Sequence, residues 1–225
     1  MLQNTTIKFL KDLKKNNNKP WFDKNRKSYE QAKTDFATLV QKIIDQHSKK
    51  DITIKHLSAK DCMFRINRDV RFSKDKSPYK TNFGASINTK GKSAWDCAGY
   101  YFHIEPGACF AGGGLYMPPA DVLKKVRQEI DYNYVAFKKI VDSKKFKSVF
   151  GALANGKEYT LSRPPKGYEA DNPAIEFLKM KSFVAMVAIK DSELNSPELI
   201  KKITTAFETL QPLLNFMNEP LWVKD

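Results

Sequence analysis

Hydrophobic spacing changes twice along this chain, and those changes restrict the folds open to it. Near the N-terminus Trp21, Phe22, Tyr29, Ala32, Phe36, Leu39, Val40 and Ile43 recur mainly in steps of three and four. That spacing predicts one stripe on a helix of about six turns, opened by Pro20. A shorter helix carrying Ile7, Phe9, Leu10 and Leu13 precedes it across the Asn16-Asn17-Asn18 turn. From about residue 62 the period falls to two, with Phe64, Ile66, Val70 and Phe72 alternating with Arg65, Asn67, Asp69 and Arg71. Alternation of this kind favours a strand with one polar face, on which Arg68 points with the apolar set and needs a buried partner. A helical reading would instead group Arg65, Arg68 and Asp69.

Three more strands are expected over Phe83 to Asn88, Ala98 to Glu105 and Cys109 to Gly114. The connections Lys90-Gly91-Lys92 and Glu105-Pro106-Gly107 carry turn chemistry, so the strands should form an antiparallel meander. After Pro118-Pro119 the helical period returns in Val122, Leu123, Val126 and Ile130. It breaks near Asp131 to Asn133, before Phe137, Ile140 and Val141. A short strand near Tyr159 to Leu161, a short helix from Asn172 to Met180 and a strand from Phe183 to Ile189 follow. The last helix carries Leu199, Ile203, Phe207, Leu210, Leu214 and Met217.

No repeat or long linker divides the sequence. The expected architecture is therefore a single α+β domain over 1–225, a mostly antiparallel sheet packed with N- and C-terminal helices. Residues 1–48 form a helical cap, 60–115 a strand-rich core, and 118–225 helices with further strands.

Thirty-nine basic against twenty-five acidic residues give a net charge of +14. Most of this charge is lysine spread over outer helical faces, which reads as a solvated surface with some attraction for polyanions. Apolar runs are short and the N-terminus has no signal-peptide pattern, so a cytoplasmic protein without membrane association is expected. Three cysteines, Cys62, Cys97 and Cys109, without a Cys-x-x-Cys pair give no disulfide framework or zinc site. No metal or cofactor motif is present, and nothing fixes an oligomeric state.

Only six of the basic residues are arginines, and Arg65, Arg68 and Arg71 fall within seven positions. Retention of the planar guanidinium fork in a lysine-rich chain points to bidentate recognition of carboxylate or phosphate. The segment continues through Lys74, Asp75, Lys76, Tyr79 and Lys80, and it is the expected site for an anionic small molecule. In that reading Arg65 and Arg71 clamp the anion, Asp69 orients them, and Lys76 and Lys80 add charge. Arg68, Arg26, Arg163 and Tyr116 complete the ligand-binding set.

Tyr79, Tyr101 and His103 are the candidates to place or move a proton. His103 and Glu105 share a strand face, where pairing would set the imidazole tautomer and raise its pKa. Gly112-Gly113-Gly114 either admits a phosphate to backbone amides or marks close strand packing.

The run Arg65-x-x-Arg68-Asp69-x-Arg71-Phe72-x-x-Asp75-Lys76-x-x-Tyr79-Lys80-Thr81 resembles the signature of the bacterial family catalogued as domain of unknown function 2461. Trp21-Phe22-x-x-Asn25-Arg26-x-x-Tyr29, Tyr100-Tyr101-x-His103-Ile104-x-Pro106-Gly107, Gly112-Gly113-Gly114-Leu-Tyr116-Met-Pro118 and Arg163-Pro164-Pro165-x-Gly167-Tyr168 resemble it as well. The resemblance spans nearly the whole chain and implies one domain, with no assigned activity. Two other readings stand beside anion binding. One is a nucleic-acid or polyanion module using the distributed lysines; the other is a structural protein whose Arg-Asp network only stabilises the fold.

Overall fold

The N-terminal stripe forms helix, but it is cut at Asn25. The computed structural model describes residues 1–222, and the last three residues of the expected 1–225 range lie outside them. Helix α1 (Asn4–Lys15) is followed by α2 (Lys19–Lys24) and α3 (Arg26–His47), so Trp21 and Phe22 sit on a helix separate from Phe36. The side chain of Asn18 accepts from Trp21 N at 3.0 Å and caps α2, whose first turn holds Pro20. Asn25 ends α2 by donating from its side chain to the Trp21 carbonyl at 2.9 Å. No side chain of Gln3 caps α1. Asp35 on α3 does so instead, accepting from Gln3 N at 2.8 Å and Thr6 Oγ1 at 2.6 Å.

Beyond these come α4 (Ala59–Cys62), β1 (Phe83–Ile87), β2 (Gly99–Ile104), β3 (Cys109–Leu115), α5 (Ala120–Tyr132), α6 (Tyr134–Val141) and α7 (Lys144–Phe150). The last elements are α8 (Ile175–Leu178), β4 (Phe183–Ile189) and α9 (Leu199–Trp222). The strands pair antiparallel in the order β1-β2-β3-β4, the expected meander with one further strand, and the fold is α+β. The chain folds as two compact units. The first holds Met1–Lys92, Tyr101–Ala111 and Ala188–Thr204; the second holds Ser93–Tyr100, Gly112–Val187 and the chain from Thr205.

In the first unit Phe36 of α3 is fully buried, stacked on Phe83 at 5.4 Å and on Phe102 at 5.9 Å. In the second, Phe137 packs against Phe177 at 5.0 Å and Phe216 at 5.4 Å. Buried Asn218 there accepts from Ala98 N at 2.8 Å and donates to Ala98 O at 3.1 Å. The glycine run follows the close-packing alternative. Gly114 has φ 129°, and a Cβ there would run into the carbonyl oxygen of Phe183 on β4.

The alternating segment 64–72 is not a strand. Met63 bridges Ala85, Phe64 N donates to Gly84 O at 3.0 Å, and Asn67 bridges Tyr79. Arg68 N donates to Pro78 O at 2.9 Å and Lys80 N to Ile66 O at 2.7 Å. The result is a short ribbon with arms 66–68 and 78–80 and a loop, 69–77, at its tip. Alternation fails there because Asp69 accepts from Arg71 N at 3.3 Å and Asp75 from Ser77 N at 2.9 Å. Each aspartate turns the backbone two residues on and so competes with ladder pairing.

Two further expectations change. The strand near Tyr159 to Leu161 reduces to one bridge, Thr160 to Met180, and α8 is shorter than Asn172 to Met180. Helix α7, which the sequence reading missed, is capped by Ser143 Oγ accepting from Phe146 N at 3.2 Å.

Phe36→Ala should lower unfolding free energy by about 3–5 kcal/mol, because it opens a cavity against the two rings, Phe83 and Phe102, that stack on it. Exposed Lys27→Ala should change it by less than about 0.5 kcal/mol. Urea unfolding of both variants measures the difference.

Candidate functional site

The site is built on the base of the 66–80 ribbon. Asn17, in the turn between α1 and α2, donates to Tyr79 O at 2.9 Å and accepts from Tyr79 N at 3.1 Å. The Tyr79 ring is buried and stacks on Phe22 at 3.9 Å. Burial raises the Tyr79 pKa, and the residue serves as an anchor of the ribbon.

Lys80 then lies half-buried with Nζ 5.3 Å from the centre of the Phe64 ring. Its ammonium has no hydrogen-bond or ion-pair partner among the described residues. Burial and the neighbouring Arg65 charge both lower the Lys80 pKa. Arg65 is exposed and likewise has no hydrogen bond or ion pair among the described residues. It lines a groove of about 830 Å³ along the outer face of α3.

Phe64 also contacts Tyr101, at 6.4 Å between ring centres. The Tyr101 hydroxyl lies over Gly84, where a Cβ would collide with it. That hydroxyl is 3.2 Å from His103 Nδ1, and Asn82 Nδ2 is 3.2 Å from both imidazole nitrogens. On the far side His103 Nε2 is 3.5 Å from Glu105 Oε2. Glu105 is in turn fixed by Thr81 Oγ1, which donates to it at 3.0 Å, and by Lys14 Nζ at 3.6 Å. Phe110 stacks on the imidazole at 4.8 Å.

A proton on Nε2 suits Glu105 and leaves Nδ1 to accept from Tyr101, so the row Tyr101-His103-Glu105 can carry a proton. Pairing with Glu105 was expected to raise the His103 pKa. Burial outweighs it, and the pKa is lowered.

The other candidates are engaged elsewhere. Arg71 closes its fork on Asp69, with Nε to Oδ1 at 3.0 Å and an NH2 contact to Oδ2 at 2.7 Å. Asp69 therefore holds the Arg71 fork, and the Arg65 charge also acts on its carboxylate. Arg68 pairs with Asp75, a partner on the loop that is itself exposed, whereas the strand reading required a buried one. Lys76 donates to Val70 O at 3.0 Å. Phe72 stands 96% exposed at the loop tip, with Arg71 over its ring at 5.9 Å.

Arg26 pairs with Asp23 at 2.9 Å and lies over Phe22 at 5.6 Å, and its charge acts on Tyr79. Tyr116 and Arg163 are exposed residues of the second unit. Sequence reasoning missed Asn82, Phe110 and Thr81 as parts of the histidine site. It also passed over Arg127, a half-buried arginine of α5 that donates to Met180 O at 3.0 Å while its Nε has no partner. The only signal for Arg127 was its being arginine in a lysine-rich chain.

Among the described residues no group of three or more His, Cys, Asp or Glu side chains could hold a metal ion. No helix among them is long and apolar enough to cross a membrane. The meander and ribbon thus carry a polar cluster on an α+β scaffold. The chain belongs to the family described as conserved hypothetical protein, DUF2461, whose model matches residues 5–216. No curated protein and no solved structure matches it.

Because the folded-state pKa of His103 lies below its ordinary value, the unfolded chain binds more protons between the two values. Stability should therefore fall as pH drops below about 6.5 and level off below the folded-state pKa. His103→Gln should lose less stability than the wild type between pH 7.5 and about 5.5. Thermal unfolding of both across that range gives the comparison, and parallel curves would assign the loss to other groups.

Proposed function

We propose that the first unit binds an anionic small molecule bearing phosphate or carboxylate, held by Arg65 and Lys80 beside the Tyr101-His103 pair. The observation that carries this reading is the pair of cations at the ribbon base. Burial, and after it the charge of Arg65, depress Lys80, yet neither cation has an ion-pair partner among the described residues. An anion between them would replace repulsion with two charge-assisted contacts and would favour the charged form of Lys80. The half-buried position of Lys80 strengthens such contacts relative to those at a solvated surface. Tyr101 and neutral His103 then offer a hydroxyl donor and a base beside the bound group.

Calorimetric titration with inorganic phosphate and short dicarboxylates tests this reading. Arg65→Ala and Lys80→Met should each weaken binding about tenfold or more while leaving the fold intact, as expected for a lost charge-assisted contact. Arg71→Ala should bind as the wild type does, because its fork is already held by Asp69. Loss of binding in Arg71→Ala but not in Arg65→Ala would sink the assignment. So would an absence of heat with every anion.

A further inference from the structure

The groove that Arg65 lines is built for more than a bare anion. On α3 the lining residues Tyr29, Lys33, Ala37 and Gln41 follow one another every fourth position. Such a stripe runs about 18 Å along a helix. Tyr29 and Phe83, with ring centres 6.5 Å apart, mark one end. The other end is marked by Ala59 N donating to Gln41 Oε1 at 2.9 Å. Between them the floor is apolar, formed chiefly by Ala37, Ala59, Met63 and Phe64.

The charges lie around this floor and are mostly positive. Lys33, Lys60, Arg65 and Lys92 line the groove against Glu30 alone among acids. Lys33 pairs with Glu30 at 3.5 Å, and Lys92 donates to Lys60 O at 2.6 Å. The side-chain ammonium of Lys60, like Arg65, has no hydrogen bond or ion pair among the described residues. An elongated apolar floor of this volume with a few unpartnered cations has the make-up of a ligand site.

Building on the anion reading above, we infer that the ligand is an amphiphile. Its acidic head sits at Arg65 and Lys80, and an extended aliphatic body lies along α3 in the groove. Burial of methylenes on Ala37, Met63 and Phe64 supplies affinity that a head group alone lacks.

The test is titration with straight-chain carboxylates from butanoate to decanoate, kept below their micelle concentrations, with inorganic phosphate as the head-only probe. Affinity should rise at least about twofold per added methylene, a part of the roughly fourfold that full burial of each would give. Ala37→Phe and, independently, Thr38→Phe place a ring in the groove from the solvent side of α3. Each should abolish the dependence on chain length and leave phosphate binding unchanged.

Equal affinity along the series, with phosphate still requiring Arg65 and Lys80, would overturn the groove assignment and leave the anion site standing. Length-dependent binding indifferent to Arg65→Ala would overturn the coupling of head and body proposed here. No binding of any carboxylate or of phosphate would overturn both readings.

Discussion

Two hydrogen bonds from one asparagine side chain organise the polar half of the first unit. By engaging both backbone groups of Tyr79, Asn17 substitutes for a neighbouring strand and fixes the second arm of the ribbon to the α1–α2 turn. The Phe22 stack then fixes the orientation of the Tyr79 ring. Once Tyr79 is committed to the helices, Lys80 takes its place over Phe64, and Asn82 reaches the imidazole of His103. The site therefore depends on packing remote from its own charges. Its geometry is held by buried contacts whose strength is insensitive to salt.

The distribution of ion pairs along the ribbon separates two kinds of positive charge. At the tip, Asp69 and Asp75 occupy the forks of Arg71 and Arg68, and both pairs stand in water, where such contacts add little to stability. At the base, Arg65 and Lys80 are near one another, and neither forms an ion pair among the described residues. Folding places like charges together at the base, against a cost that Coulomb's law makes larger as water is excluded. A chain selected for stability alone gains nothing from that arrangement. Burial beneath Phe110 favours the neutral imidazole of His103 while Glu105 holds its tautomer.

Much of the fold was legible because it rests on periodicity. The alternation of Tyr100, Phe102 and Ile104 with Tyr101, His103 and Glu105 placed β2 within a residue or so at each end, and Phe183 to Ile189 was read without error. The failures have local causes. Asn25 breaks a helix whose hydrophobic stripe continues through it, and its side-chain amide folds back onto the Trp21 carbonyl that its own backbone N–H also engages. Residues 64–72 alternate as a strand does, but side-chain turns at Asp69 and Asp75 override the pattern.

At the site, the pairing of Tyr101, His103 and Glu105 followed from strand register, and the arginine cluster was visible from composition. Which arginine stays unpaired was not visible. Arg68 finds its acid seven residues on, across a loop whose path no spacing rule gives. The groove was hidden for a related reason. Lys33 and Ala37 on α3 read as an ordinary solvated face until residues 58–65 are folded opposite them.

The 69–77 loop has its own significance. Asp69 and Asp75 hold Arg71 and Arg68, Arg71 lies over the Phe72 ring, and both ends are pinned by the backbone bond from Arg68 to Pro78. It is thus a separable insert closed by its base. The entropy of closing such a loop grows only slowly with length, so residues could be added or removed there at small cost. The tip is the natural place for this scaffold to diversify, or to receive a grafted peptide, without disturbing the register that sets Arg65 and Lys80.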